Sequence, residues 1–126
     1  MTASTGIGRI GQIALSVHDM ERAITFYRDV VGLKFLFQAP NVAFFDAGGV
    51  RLMLGQPEPK DLKPAGTVLY FDSADLDADF AAIKQRGAEV APDGNPHFIA
   101  KLGAKDLCMA FFRDPDGNLF ALMSER

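Results

Sequence analysis

The chain has 126 residues, of which 48% are hydrophobic and 23% charged. These are ordinary globular values, so bulk disorder is excluded, and the length suits one domain or two very small halves sharing a core. A net charge of −3 excludes a basic nucleic-acid footprint, and a single cysteine, Cys108, excludes an intramolecular disulfide or a cysteine-cluster zinc site.

No apolar run approaches the roughly 20 residues of a membrane span. The small, polar start lacks the basic-then-apolar plan of a signal peptide. The expected location is therefore cytoplasmic, with neither a membrane nor a nucleic acid as partner. Cys108 lies in the apolar run 107–112 and is expected to be a small buried hydrophobe.

Taken in chain order, the first predicted strand places Ile13, Leu15 and Val17 on one face and Gln12, Ala14 and Ser16 on the other. Asp19 is a predicted N-cap, with Glu21 in the first turn. Met20, Ala23, Ile24, Tyr27 and Val31 recur at helical spacing, and Gly32 ends the helix. His18 sits at the strand-to-helix junction and is expected to be exposed. Strands are predicted over 33–38, 42–46 and 50–54, separated by Pro40-Asn41 and Gly48-Gly49. A linker over 56–66, with three prolines, is expected to be extended and semi-rigid.

Beyond the linker the plan repeats. Ile13-Ala-Leu-Ser-Val-His-Asp19-Met matches Leu69-Tyr-Phe-Asp-Ser-Ala-Asp75-Leu at an offset of 56 residues. Leu69 and Phe71 share one face, while Val68, Tyr70 and Asp72 share the other. Asp75 caps a second helix with the stripe Leu76, Phe80 and Ile83, ended by Gly87. Strands follow near 89–90 and over 97–101, 107–113 and 119–124. The turn Asp114-Pro-Asp-Gly-Asn118 joins the last two and reads as structural. The prediction is a single α+β domain of two βαβββ modules, about 8–55 and 67–125. Each sheet has one face under its helix, so its other face must meet something.

These segments resemble a known family. Gln12-Ile-Ala-Leu-Ser-Val-His-Asp19, Phe26-Tyr27 with Val31-Gly32-Leu33, and Arg113-Asp-Pro-Asp-Gly-Asn-Leu-Phe120 look like the vicinal oxygen chelate superfamily. That group holds glyoxalase I, bleomycin-resistance proteins, fosfomycin-resistance enzymes, methylmalonyl-CoA epimerase and extradiol dioxygenases. The resemblance spans roughly Ile10 to Glu125 and implies two tandem modules forming curved mixed sheets around a cavity, with helices on the outer face.

In metal-dependent members, four inward positions carry the ligands. Carried over, they fall at Gln12, Met53, Val68 and Ala121. Gln can offer a carbonyl oxygen, but the other three lack the oxygen or imidazole that Zn, Ni, Mg or Fe requires. No metal and no other cofactor are therefore expected. Losing the metal also removes the Lewis acid of the glyoxalase and epimerase chemistries.

Alternation suggests the inward set: Gln12, Ala14, Ser16, Arg51, Met53, Val68, Tyr70, Asp72, Leu119, Ala121 and Met123, with His97 a further candidate for the ligand pocket. An apolar floor with a few polar groups suits a small-molecule site. The plainer alternative is that these side chains fill the space between the sheets. Arg51 and Asp72 are expected either to bind an ionic group of the ligand or to pair with each other. His97 and Tyr70 are the candidate catalytic groups. Of the Phe residues, Phe71 and Phe80 are assigned to the sheet–helix core. Phe44, Phe45, Phe98, Phe111 and Phe112 are candidates for a pocket or dimer face.

The leading functional expectation is a metal-free binder of a small, partly apolar organic molecule, similar to bleomycin-resistance proteins. A metal-independent lyase or isomerase is the alternative. A metal-dependent lactoylglutathione lyase is disfavoured by the missing ligands. A non-catalytic interaction module with a filled core is a further reading. A homodimer is expected in every case, because the sheets leave edges and apolar faces to be covered.

Overall fold

Local rules build both halves alike in the computed structural model, which describes residue 6, residues 8–56 and residues 67–126. Of the predicted linker, 57–66 lies outside the described residues. In the first half, β1 (Gln12–Ser16) leads to α1 (Met20–Thr25). The Asp19 carboxylate accepts from the Arg22 N–H at 3.1 Å, the predicted cap. Strands β2 (Lys34–Ala39), β3 (Val42–Ala47) and β4 (Val50–Gly55) follow. The second half runs β5 (Leu69–Asp72), α2 (Leu76–Gln85), β6 (Glu89–Val90), β7 (His97–Leu102), β8 (Lys105–Arg113) and β9 (Leu119–Glu125). Asp75 caps α2, accepting from the Ala78 N–H at 3.1 Å.

The two sheets correspond. The first has the order β1-β4-β3-β2, with β1 parallel to β4 and the other pairs antiparallel. The second has the order β5-β9-β8-β6, with β5 parallel to β9. Both β6 and β7 pair with β8, so one strand position is split between two short pieces.

The first helix differs from the regular one predicted. Beyond Thr25 the chain widens to a π-helical turn over Phe26–Val31, closed by the Gly32 N–H donating to the Tyr27 carbonyl at 3.1 Å. Gly32 takes φ 90°, the left-handed end the sequence predicts. The widened turn buries two consecutive rings, Phe26 and Tyr27. Tyr27 then bridges the sheets, with ring centroids 6.3 Å from Phe45 on β3 and 6.5 Å from Phe120 on β9.

One hydrophobic core therefore serves both halves. It takes Leu15, Phe45, Leu52 and Leu54 from the first sheet and Leu69, Phe112, Phe120 and Leu122 from the second, with both helices. Phe45 and Phe112, predicted as pocket or dimer-face residues, are fully buried in this core. The reason is pleating: Phe44 and Phe45, like Phe111 and Phe112, are neighbours and must point to opposite faces. Phe80 is in the core and Phe71 packs against it, as expected, and Cys108 is buried.

Polar ties also cross between the halves. The Tyr27 hydroxyl donates to the Asp114 carboxylate at 2.6 Å. Exposed His18 places Nδ1 2.6 Å from the Asp116 carboxylate, and Arg22 approaches the same oxygen at 3.5 Å. No helix among the described residues is long and apolar enough to cross a membrane. Removing the first cap by Asp19→Ala should cost about 1 kcal/mol, a fall of about 3–5 °C in Tm by calorimetry.

Candidate functional site

Because the helix-side faces share the core, the opposite face of each sheet points away from it. Alternation along β1 and β4 places Gln12, Arg51 and Met53 on the open face of the first sheet. Gln12 lies opposite Arg51 and Ala14 opposite Met53. The Arg51 Nε donates to the Gln12 Oε1 at 2.7 Å, and the Gln12 amide lies 3.8 Å from the Met53 sulfur. The Arg51 guanidinium stands 5.3 Å from the centroid of Phe44. Phe44 in turn stacks on Phe37 at 4.6 Å, and Phe37 is 50% exposed. One polar-to-aromatic row thus crosses all four strands.

The second sheet carries the rest of the predicted set. Tyr70, Ala121 and Phe111 stand side by side in register across β5, β9 and β8. The next row holds Asp72, Met123, Met109 and His97. Leu119 lies at the start of β9, opposite Arg113, and Val68 immediately precedes β5. Tyr70 is 50% exposed, while Ala121 is buried between larger neighbours. The His97 Nδ1 lies 2.6 Å from the Asn95 carbonyl oxygen. A carbonyl only accepts, so Nδ1 is the donor in this contact, and in the neutral ring the lone pair is on Nε2.

Gln12, Arg51 and Met53 thus come together on one face, and Val68, Tyr70, His97, Leu119, Ala121 and Met123 on another. The chain does not fold these two groups onto each other. The predicted Arg51–Asp72 pair does not form: the register sets Arg51 between Gln12 and Asp46, and Asp72 opposite Met123 on the other sheet. Between the halves lie clefts of about 570 Å³ and 300 Å³, which take Tyr70 from this set, and in the smaller one Val68.

The sequence reading did not single out Phe37. Strict alternation would put Phe35 and Phe37 on the same face. A register shift between them instead sets Phe35 against Phe45 in the core and Phe37 against Phe44 on the open face. Nothing in the pattern of Leu36-Phe37-Gln38 announces that bulge. Met109 carried a signal, being the alternate residue to Cys108 and Ala110 on β8.

The family's metal position can be tested on its donor atoms. Of Gln12, Met53, Val68 and Ala121, only Gln12 has a hard oxygen, and Arg51 already donates to it. At an effective dielectric of about 20, a divalent ion about 5 Å from that guanidinium would be repelled by roughly 6–7 kcal/mol. Among the described residues no three His, Cys, Asp or Glu side chains are grouped as a metal site. The residues present do not fit the metal.

Comparisons with known proteins agree with this fold. The family profile described as the glyoxalase/bleomycin resistance protein/dioxygenase superfamily matches residues 9–122. The metallothiol transferase FosB of Shouchella clausii is 30% identical over 118 residues, covering 90% of this chain and 77% of that one. A crystal structure of a putative glyoxalase family protein from Bacillus anthracis superposes with a TM-score of 0.80 at 17% identity, covering 98% of this chain and 100% of the other. TnmS3, an antibiotic binding protein from Streptomyces sp. CB03234, superposes with a TM-score of 0.75 at 24% identity, again covering 98% and 100%.

Proposed function

The chain belongs to the glyoxalase/bleomycin resistance protein/dioxygenase superfamily, and on that premise we propose that it binds a small, partly apolar organic molecule without a metal. The carrying observation is the pair of open sheet faces. Each presents apolar and aromatic side chains with a few polar groups, the makeup of a ligand site. Phe37 on the first open face and Tyr70 on the second are each 50% exposed. A homodimer would lay the first sheet's open face over the second sheet's open face of another copy. Gln12, Arg51 and Met53 would then line one wall, and Val68, Tyr70, His97, Leu119, Ala121 and Met123 the other. That an antibiotic binding protein shares the fold supports a sequestering role.

A second reading is favoured by His97. Its free Nε2 faces solvent on the same sheet as Tyr70, so the pocket could abstract a proton without a metal. The two readings separate in one experiment. Sedimentation should give twice the chain mass of 13.7 kDa. A thermal-shift screen of aromatic and amphipathic compounds should yield stabilising ligands, since a ligand at 100 times its Kd adds about 2.7 kcal/mol. For a binder the ligand is recovered unchanged; a chemically altered ligand supports the His97 or Tyr70 enzyme. A monomer that no compound stabilises would defeat both. Elemental analysis after anaerobic purification should find no stoichiometric metal.

A further inference from the structure

The proposed site contains a positive charge that makes no ion pair among the described residues. Arg51 is exposed, and among the described residues no carboxylate lies within ion-pair distance of it. Asp46 is its register neighbour on β3, but one oxygen of that carboxylate is turned to the Gly49 N–H, from which it accepts at 3.0 Å. A free arginine on a surface is ordinarily mobile. This one has a neighbour on two sides, the Gln12 carbonyl oxygen at Nε and the Phe44 ring 5.3 Å from the guanidinium carbon. Both contacts leave the Nη donors unused. Two such contacts restrict the guanidinium before any ligand arrives, which lowers the cost of binding.

Resting on the ligand-binding reading above, we propose that Arg51 is the anchor for an oxyanion. The ligand class is a small organic acid, its carboxylate or similar group accepting from the Arg51 Nη donors. Its apolar body would lie along Met53, Phe44 and Phe37, beside the small Ala14. Arg51 thus places a cation beside Gln12 and Met53, two of the positions at which the resemblance implies a metal ligand, and it presents hydrogen-bond donors instead of open coordination positions. Oxygen-bearing ligands are still received, but by a charge-assisted pair.

The test uses the full chain and two probes, naphthoate and the uncharged naphthamide, titrated by calorimetry. Wild-type protein should bind naphthoate at least about tenfold more tightly than naphthamide. Arg51→Gln should remove that preference, naphthoate affinity falling about tenfold to the level of naphthamide, and Arg51→Lys should restore part of it. Circular dichroism checks that the exposed substitution leaves the fold intact. Equal binding of the two probes, or loss of both in Arg51→Gln, would overturn the oxyanion anchor and leave the apolar site standing. If neither probe binds and the wider screen also fails, the ligand-binding reading falls with it.

Discussion

Asp114→Ala is expected to destabilise the protein by about 3–5 kcal/mol in urea unfolding, the range for stranding the partners of a buried charge. The Asp114 side chain is buried and accepts four hydrogen bonds. One oxygen takes the Asp116 N–H at 2.9 Å and the Asn118 N–H at 2.8 Å. The other takes the Asn118 amide at 3.0 Å and the Tyr27 hydroxyl at 2.6 Å. Alanine leaves all these donors without this acceptor, and the Tyr27 hydroxyl is fully buried. The loss also unties the two halves, because Tyr27 belongs to the first and the 114–118 turn to the second.

Tyr27→Phe tests the same tie from its other end and should cost less, about 1–3 kcal/mol. It has a pH signature. Burial, and then the Asp114 carboxylate, raise the Tyr27 phenol well above its ordinary value. An unfolded tyrosine ionises near about pH 10 while the buried one stays neutral, so the tie's full contribution is present below that pH. Above it, stability falls by about 1.4 kcal/mol per pH unit from this residue, and that share of the alkaline slope should vanish in Tyr27→Phe.

Gly94→Ala is expected to be the second severe change, costing about 3 kcal/mol or more. Gly94 sits in the break between β6 and β7, where the chain crosses close to β8. The Ala91 N–H donates to the Phe111 carbonyl at 3.0 Å, and the Phe111 N–H to the Gly94 carbonyl at 2.8 Å. A Cβ on Gly94 would stand 2.3 Å from the Phe111 oxygen and 2.7 Å from the Ala91 oxygen. Both are backbone atoms in bonds that would have to yield. Gly48→Ala is the matched control: its φ of 65° is left-handed, but nothing lies within 4 Å of its Cβ position, so about 1 kcal/mol is expected. The Gly94 change should also move NMR signals of Phe111 and His97, whose rings are 6.0 Å apart on the second open face.

Much of this was legible in the sequence, because it rests on local rules. Asp19 and Asp75 are caps since an extended backbone before a helical stripe leaves N–H groups for a short carboxylate to accept. Leu15, Leu52, Leu69 and Leu122 face the core because alternation has a period of two. The repeat over the 56-residue offset shows in two sheets with the same parallel first pairing. The missing metal donors could be read from Met53, Val68 and Ala121 alone.

Other features depend on the neighbours that each face acquires. The Phe35–Phe37 bulge and the π-helical turn at Phe26–Val31 are register choices, settled by which rings fit around Tyr27 and Phe45. Arg51 could have faced Asp72; the register gave it Gln12 and Phe44. The sequence by itself determined the two modules, the starts of their helices and the sidedness of the strands that keep a regular register. Only the tertiary structure decided that both modules spend their helix-side faces on one core, which leaves Gln12, Arg51 and Met53 on one open face and Tyr70, His97 and Ala121 on another. Periodicity tells which residues share a face, but which faces meet is a matter of packing between segments far apart in the chain.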